Sequence, residues 1–282
     1  SAIMLKVRIL MNNQMWDEAA DAAWSLIGDP DNPFELYENY SGIFFGEQKD
    51  NPEIMFSVQY QSPGDPHQLD QYVGSRMSFF PTPQLRDAYE VKDPDTGEMD
   101  PRLAMTIFQI GDPWVMHPSG TFTRDPGRQS EGNIPFTDMA FKKWIDPSLI
   151  QARGAISDQD IVKMRYAELL LSYAEAMFES GQGDDPRALD ALNQVRQRPG
   201  VEMPEVEVLT RENIRNERRV ELAFEGLRFN DLKRWGIAHE IIPTIPGNGP
   251  TATRKFDGYV WPIPQSQMDI MGDIWDQNPD YQ

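Results

Sequence analysis

Two clusters in the middle of the chain combine flat rings with planar polar groups. Tyr72 stands beside Asp70, Gln71 and Arg76, and Trp114 stands three residues before His117. A sugar presents flat faces of C–H groups to an aromatic ring and hydroxyls to amides, carboxylates and guanidinium groups, so these residues are equipped for carbohydrate binding. The competing expectation for any one ring is packing beneath a long loop. Trp16, Trp24, Trp235 and Trp261 fall in helical or terminal motifs and are expected in the core.

Other constellations carry less chemistry. Glu217, Glu221 and Glu225 recur at i, i+4 and i+8, which suggests paired carboxylates for glycoside hydrolysis. Arg218, Arg219, Arg228 and Arg234 are interleaved with them, so an ion-pair network is the more economical account, with Arg228 in reach of Glu225 and Asp231 at i±3. Asp93, Asp95, Gly97 and Asp100 partly match a calcium loop, but Pro94 and the missing Glu at the twelfth position leave an acidic turn. The Asp269, Asp273, Asp276 and Asp280 series has no basic residue among it and reads as a solvated face. His67, His117 and His239 are far apart without an H-E-x-x-H, so zinc hydrolysis has no local support. Neither a glycine-rich phosphate loop nor a G-x-S-x-G elbow is present, and Gly247-Asn248-Gly249-Pro250 is a turn.

The elements that must position these groups are mainly helical. The net charge of −19 and pI near 4.5 argue against nucleic acid and other polyanions as partners. Zero cysteine removes disulfides, thiolate zinc sites and a Cys nucleophile. No apolar run approaches the ~20 residues of a spanning helix, so membrane attachment is expected to lie outside this chain. With 23 Pro and 20 Gly in 282 residues, long ordered loops are expected. Ile3 to Ile27 reads as a helical hairpin broken at Asn12-Asn13, and residues 53–60 alternate as one half-buried strand. From Gln61 to Ile156 periodicity mostly fails, with one short helix expected from Thr82 to Val91. Helices follow over Asp158–Ser180, Asp185–Arg198 and Thr210–Trp235, the second opened by an Asp-Pro cap and the third by a threonine cap. The apolar stripes of these helices require each other and the Trp16–Ile27 helix for burial, and their alanine-rich pairs look like degenerate tetratricopeptide hairpins.

Three ordered segments carry a more specific resemblance: residues 164–176 (MRYAELLLSYAEA), residues 193–200 (NQVRQRPG) and residues 217–235 (ERRVELAFEGLRFNDLKRW). The closing Gly258-Tyr259-Val260-Trp261-Pro262-Ile263-Pro264 and Gln277-Asn278-Pro279-Asp280-Tyr281, and Asn51-Pro52-Glu53-Ile54 entering a strand, fit the same pattern. Together they resemble the SusD/RagB family of glycan-capture proteins. The resemblance implies a mainly α fold of tetratricopeptide-like hairpins with an ordered loop-rich lobe, and a non-catalytic role without a cofactor. It implies a surface lipoprotein of the outer membrane in Bacteroidetes-type bacteria that captures oligosaccharides and hands them to a TonB-dependent, SusC-like transporter. Some members bind calcium, but no residue here can be assigned to it. In the family the Glu217–Trp235 block is a fold signature rather than a catalytic site.

Members are usually longer, with a signal peptide, a lipidated Cys and a further N-terminal helical region, so the chain reads as a C-terminal portion. Within a single domain over 1–282 we expect a hairpin and connection over 1–48 and a loop-rich lobe with the ligand site over 49–156. Helical hairpins over 157–238 and a loop segment over 239–282 would follow. A tetratricopeptide-type peptide scaffold and an acidic glycosidase are the alternatives. Irregular repeat spacing weighs against the first.

Overall fold

The computed structural model describes residues 1–69, 80–113, 137–145, 157–246 and 254–281. The chain forms two compact units, Ser1–Leu227 and Arg228–Gln282.

Unit 1 is built on helices. The first hairpin pairs α1 (Ala2–Asn12) with α2 (Trp16–Ile27), and α2 buries Ala19, Ala20, Ala22 and Ala23. Those small side chains let α2 approach α5 (Tyr166–Glu179), whose residues from Tyr166 to Met177 are all buried. A helix apolar all round must have neighbours on several sides. Here they are α2, α6 (Pro186–Arg196) and α7 (Arg211–Glu221), all in contact with α5. Trp24 stacks on Tyr173 with ring centroids 5.2 Å apart. The expected caps form: Asp185 accepts from the Arg187 amide, and Thr210 makes a capping box with Asn213.

Three short two-stranded sheets complete the unit: β1 (Ile54–Val58) with β6 (Ile161–Arg165), β2 (Val91–Asp93) with β3 (Glu98–Met99), and β4 (Ile107–Gln109) with β5 (Met139–Phe141), all antiparallel. Between them lie α3 (Pro83–Arg86) and α4 (Pro101–Thr106). The β2–β3 turn holds the acidic cluster: Asp93 accepts from the Asp95 amide and the Thr96 hydroxyl, while Asp100 caps α4.

Three expected helices are corrected. The helix expected from Asp158 begins only at Tyr166, because Ile161–Arg165 is drawn into an antiparallel pair with β1, Ile54 opposite Arg165 and Val58 opposite Ile161. The helix expected over Thr210–Trp235 ends at Glu221. Phe224 and Gly226 both take positive φ, which no helix accommodates. The Phe224 ring lies 3.7 Å from that of Phe141 and its carbonyl accepts from Trp144 Nε1, and these tertiary contacts are what the break serves. The helix expected from Thr82 is confined to α3, after which Val91 enters β2.

Unit 2 begins with α8 (Arg228–Arg234) and continues through α9 (Ala238–Ile241) and α10 (Gln265–Met271), with short 3₁₀ turns after α9 and α10 and at Pro279–Tyr281. Its core gathers Leu232, Ala238 and Ile242 with Trp235, Phe256 and Tyr259. The two C-terminal motifs hold each other. The Gln277 side chain donates to the Ile263 carbonyl and accepts from its amide, and Asp280 accepts from the Tyr259 amide. Gly258 is required there, since at φ 141° a Cβ would lie 2.6 Å from Asp280 Oδ2. Trp261, expected in the core, is instead 82% exposed: Asn278 fixes its carbonyl while the ring projects outward. No helix among the described residues is long and apolar enough to cross a membrane.

Candidate functional site

Glu217 and Glu221 of α7, with Glu225 beyond its end, form a sealed network. Glu221 accepts from Arg165, Arg198 and Arg102 at 2.6, 2.7 and 2.8 Å. Glu217 takes Arg102 and Arg196, Glu225 takes Arg165 and Lys143, and Glu53 takes Arg165 and Arg198. Burial would raise the Glu221 carboxyl, but the three arginines hold it far below the ordinary range. Glu225 is likewise lowered, burial being outweighed by Arg165 and Lys143, while burial pulls the Lys143 ammonium down to about 8 despite Glu225. The side chains of Glu217 and Glu221 are fully inaccessible, so they cannot protonate a glycosidic oxygen. This network fastens β6, α4, α6 and α7 together. Its arginines come from distant parts of the chain, and in unit 2 Arg234 pairs with Asp231.

An open site lies beside it in unit 1. A groove of about 980 Å³ runs along β1 and its extension to Gln61, walled by residues 46–51 and 158–160. That volume is at the upper end of what ligand clefts usually offer, ~300–1,000 Å³. Phe56, on the solvent face of the strand, is 47% exposed, and Tyr60 follows on the same wall. Gln59 and Gln61 are exposed beside them, with Asp50, Asp65, Asp158 and Asp160 around the rim and Lys49 the one cation among the described lining residues.

The walls are fixed by backbone-directed bonds. The Gln48 side chain donates to the Asp160 carbonyl at 2.6 Å and accepts from the Asp160 amide at 2.8 Å. Ser57 Oγ donates to Asp160 Oδ2 at 2.9 Å, and Gln61 exchanges two backbone bonds with Asp65. His67 pairs its backbone with Ser157 in both directions. Its Nδ1 accepts from the Leu69 amide, so Nε2 carries the proton donated to the Gln159 carbonyl at 2.8 Å. Tyr60 meets the His67 ring edge to face at 4.6 Å. The arrangement presents two rings and several amides on a rigid frame, and its acidic rim suits an uncharged polyol better than an anion.

Asp70, Gln71, Tyr72, Arg76, Trp114 and His117 all lie outside the described residues; the first four follow closely after His67 and Leu69 in sequence. The alternation over residues 53–60 indicates a half-buried strand but not a groove, and the apolar face that carries Phe56 and Val58 is the exposed one. The available signal was the run Gln59-Tyr60-Gln61 at the strand's exit, where a ring is flanked by two amides. Among the described residues, no group of three or more His, Asp or Glu could hold a metal ion.

Comparison with known proteins places this framework. The SusD family profile matches residues 42–281. SusD-like protein P38 of Formosa agariphila is 26% identical over 304 residues, covering 93% of this chain and 56% of that protein. A SusD-like carbohydrate-binding protein of Bacteroides fragilis superposes with a TM-score of 0.80 at 27% identity, over 95% of this chain and 63% of that one. The surface glycan-binding protein A of Bacteroides thetaiotaomicron, solved with laminarihexaose, shares the fold at a TM-score of 0.67 and 22% identity, over 98% of this chain and 62% of that one. The chain thus spans somewhat over half the length of these relatives. A profile that runs from the 3₁₀ turn at Tyr40–Ile43 to the C-terminal Tyr281, on a helical frame shared with the Bacteroides fragilis protein, establishes that the chain belongs to the SusD family.

Proposed function

We propose that this chain captures uncharged oligosaccharides, without catalysis, in the groove along β1. The observation that carries this reading is the exposed Phe56 and half-buried Tyr60 beside the exposed Gln59 and Gln61 amides, on a strand whose backbone is locked. A ring that stacks on a sugar adds about 1 kcal/mol beyond the area it buries, by analogy with aromatic pairs, and each net hydrogen bond adds a similar amount. Two rings and a few bonds therefore give weak capture, and further contacts are needed. Tyr72 with Asp70, Gln71 and Arg76, and Trp114 with His117, are the residues we assign to them. Family membership and the carbohydrate-binding Bacteroides fragilis relative support the ligand class.

In the complete protein the glycan passes to a TonB-dependent, SusC-like transporter in the outer membrane, with attachment through a lipid outside this chain. Nucleic acid is not a partner, given the acidic surface. The test is calorimetric titration of the chain with laminarihexaose and other neutral oligosaccharides, repeated with Tyr60→Ala and Trp114→Ala. Each variant is expected to weaken binding severalfold at unchanged melting temperature. Binding of a neutral glycan that neither variant alters would overturn the assignment of the groove.

A further inference from the structure

Unit 2 holds a second groove of opposite charge. It measures about 810 Å³ and lies wholly within residues 228–281. Four of its lining residues are Arg228, Lys233, Arg254 and Lys255, against one acid, Asp257, among the described lining residues. In a chain of net charge −19 such clustering is against the trend. Lys233 and Lys255 make no ion pair with any described carboxylate, whereas the buried cations of unit 1 are paired. The groove also carries two large exposed rings, Phe229 at 52% and Trp261 at 82%. Lys233 Nζ stands 5.7 Å from the Phe229 centroid, which places a cation at the edge of the apolar wall.

The Trp261 ring has no structural duty to explain its position. Its carbonyl is held by Asn278, and Ile263, two residues on, is held by Gln277, so the backbone is pinned while the ring is left in water. An ordered, exposed ring beside unpaired ammonium groups in a concavity fits a ligand with a flat apolar face and a fixed negative charge. Arginine and lysine are the donors suited to carboxylate and sulfate oxygens.

We propose that this groove is a second saccharide site, specific for anionic sugars: oligosaccharides bearing uronate carboxylates or sulfate esters. The proposal rests on the capture reading above for the saccharide class and is independent of the β1 groove in its residues. The two sites would let one chain hold neutral and anionic sugar units in grooves of matching charge.

The experiment is calorimetric titration of the 282-residue chain with three probes: hexagalacturonate, a chondroitin sulfate hexasaccharide and laminarihexaose, at 20 and 200 mM NaCl. At least one anionic probe is expected to bind, with affinity falling threefold or more at the higher salt, since the contacts are exposed and screened. Trp261→Ala and Lys255→Glu should each weaken that binding about tenfold and leave laminarihexaose unaffected; Lys255→Gln, a milder change, should fall between. Binding of only the uronate or only the sulfated probe supports the proposal and identifies the anion. No anionic binding at 20 mM NaCl overturns it, as does anionic binding indifferent to all three variants. Failure of the unaltered chain to bind laminarihexaose, while it binds an anionic probe, would instead refute only the β1 groove.

Discussion

The two units treat charge in opposite ways. In unit 1 the strongest charges are withdrawn from water and matched: Glu53, Glu217, Glu221 and Glu225 against Arg102, Arg165, Arg196, Arg198 and Lys143. In unit 2 the groove lysines, Lys255 exposed and Lys233 half-buried, have no acidic partner among the described residues and share the groove with an exposed tryptophan. A buried pair holds elements in register, because breaking it strands a charge where water cannot reach it. An exposed, unpaired cation does nothing for the fold that a neutral residue would not, so its clustering points to a ligand. The family's signature block, Glu217 to Trp235, crosses from one regime to the other.

The strongest test of that contrast is Glu221→Gln. It removes the charge opposite Arg102, Arg165 and Arg198, and should cost ~3–5 kcal/mol in urea denaturation while the folded fraction keeps its glycan affinity. A binding loss at unchanged stability would dissolve the distinction between the regions.

Acid should expose the same network. The folded-state carboxyls of Glu221 and Glu225 are lowered from an ordinary value near 4.5. Their contribution is present above that value and is lost as pH falls through the depressed folded values, since the unfolded chain there binds more protons. Melting temperature is expected to fall steeply below about pH 4.5, and less steeply in Glu225→Gln, which has lost one of the two groups. Equal slopes would show that other carboxylates dominate.

In unit 2 the corresponding weak point is backbone, not charge. Gly258→Ala puts a methyl against Asp280 at a φ that side chains rarely adopt. The strain is on the order of 1–3 kcal/mol. It should appear as faster proteolysis after Lys255 with the unit 1 transition unchanged. Anionic-sugar binding should weaken too, because the Asp280 clamp helps to set the backbone that presents Trp261.

How much of this was legible follows from the range of the interactions. The helical hairpins could be read because their stripes and caps are local: Asp185-Pro186 and Thr210 act within four residues. The start of α5 could not, because Arg165 is held in a strand by β1, over a hundred residues earlier, and that pairing overrides the helical pattern of 158–165. The sequence pointed to an ion-pair network, but the partners of Glu221 are arginines at positions 102, 165 and 198, which only the fold brings together. Trp261 departs from its expected core position for a related reason. Its motif is bound through backbone atoms, and an aromatic residue in a motif held that way need not be buried. The β1 groove had one local sign, the amides about Tyr60, while its other wall comes from residues 158–160.

The smallest expected effect separates these two ways of using a tryptophan. Trp24 lies against the Tyr173 ring and packs on the unit 1 core, so its removal would open a cavity. Trp261 is 82% exposed, and truncating it to alanine removes surface that folding scarcely buries. The change in stability for Trp261→Ala should therefore stay within about 0.5 kcal/mol, the usual range for surface positions. A larger loss, measured by thermal denaturation of the chain in buffer without ligand, would mean that the ring supports the fold and that its exposure had been misread as availability. A stability within that range, together with the tenfold loss of anionic-sugar affinity, would leave ligand contact as the remaining role for the ring, since its backbone is already held by Asn278 and Gln277 whatever side chain it bears.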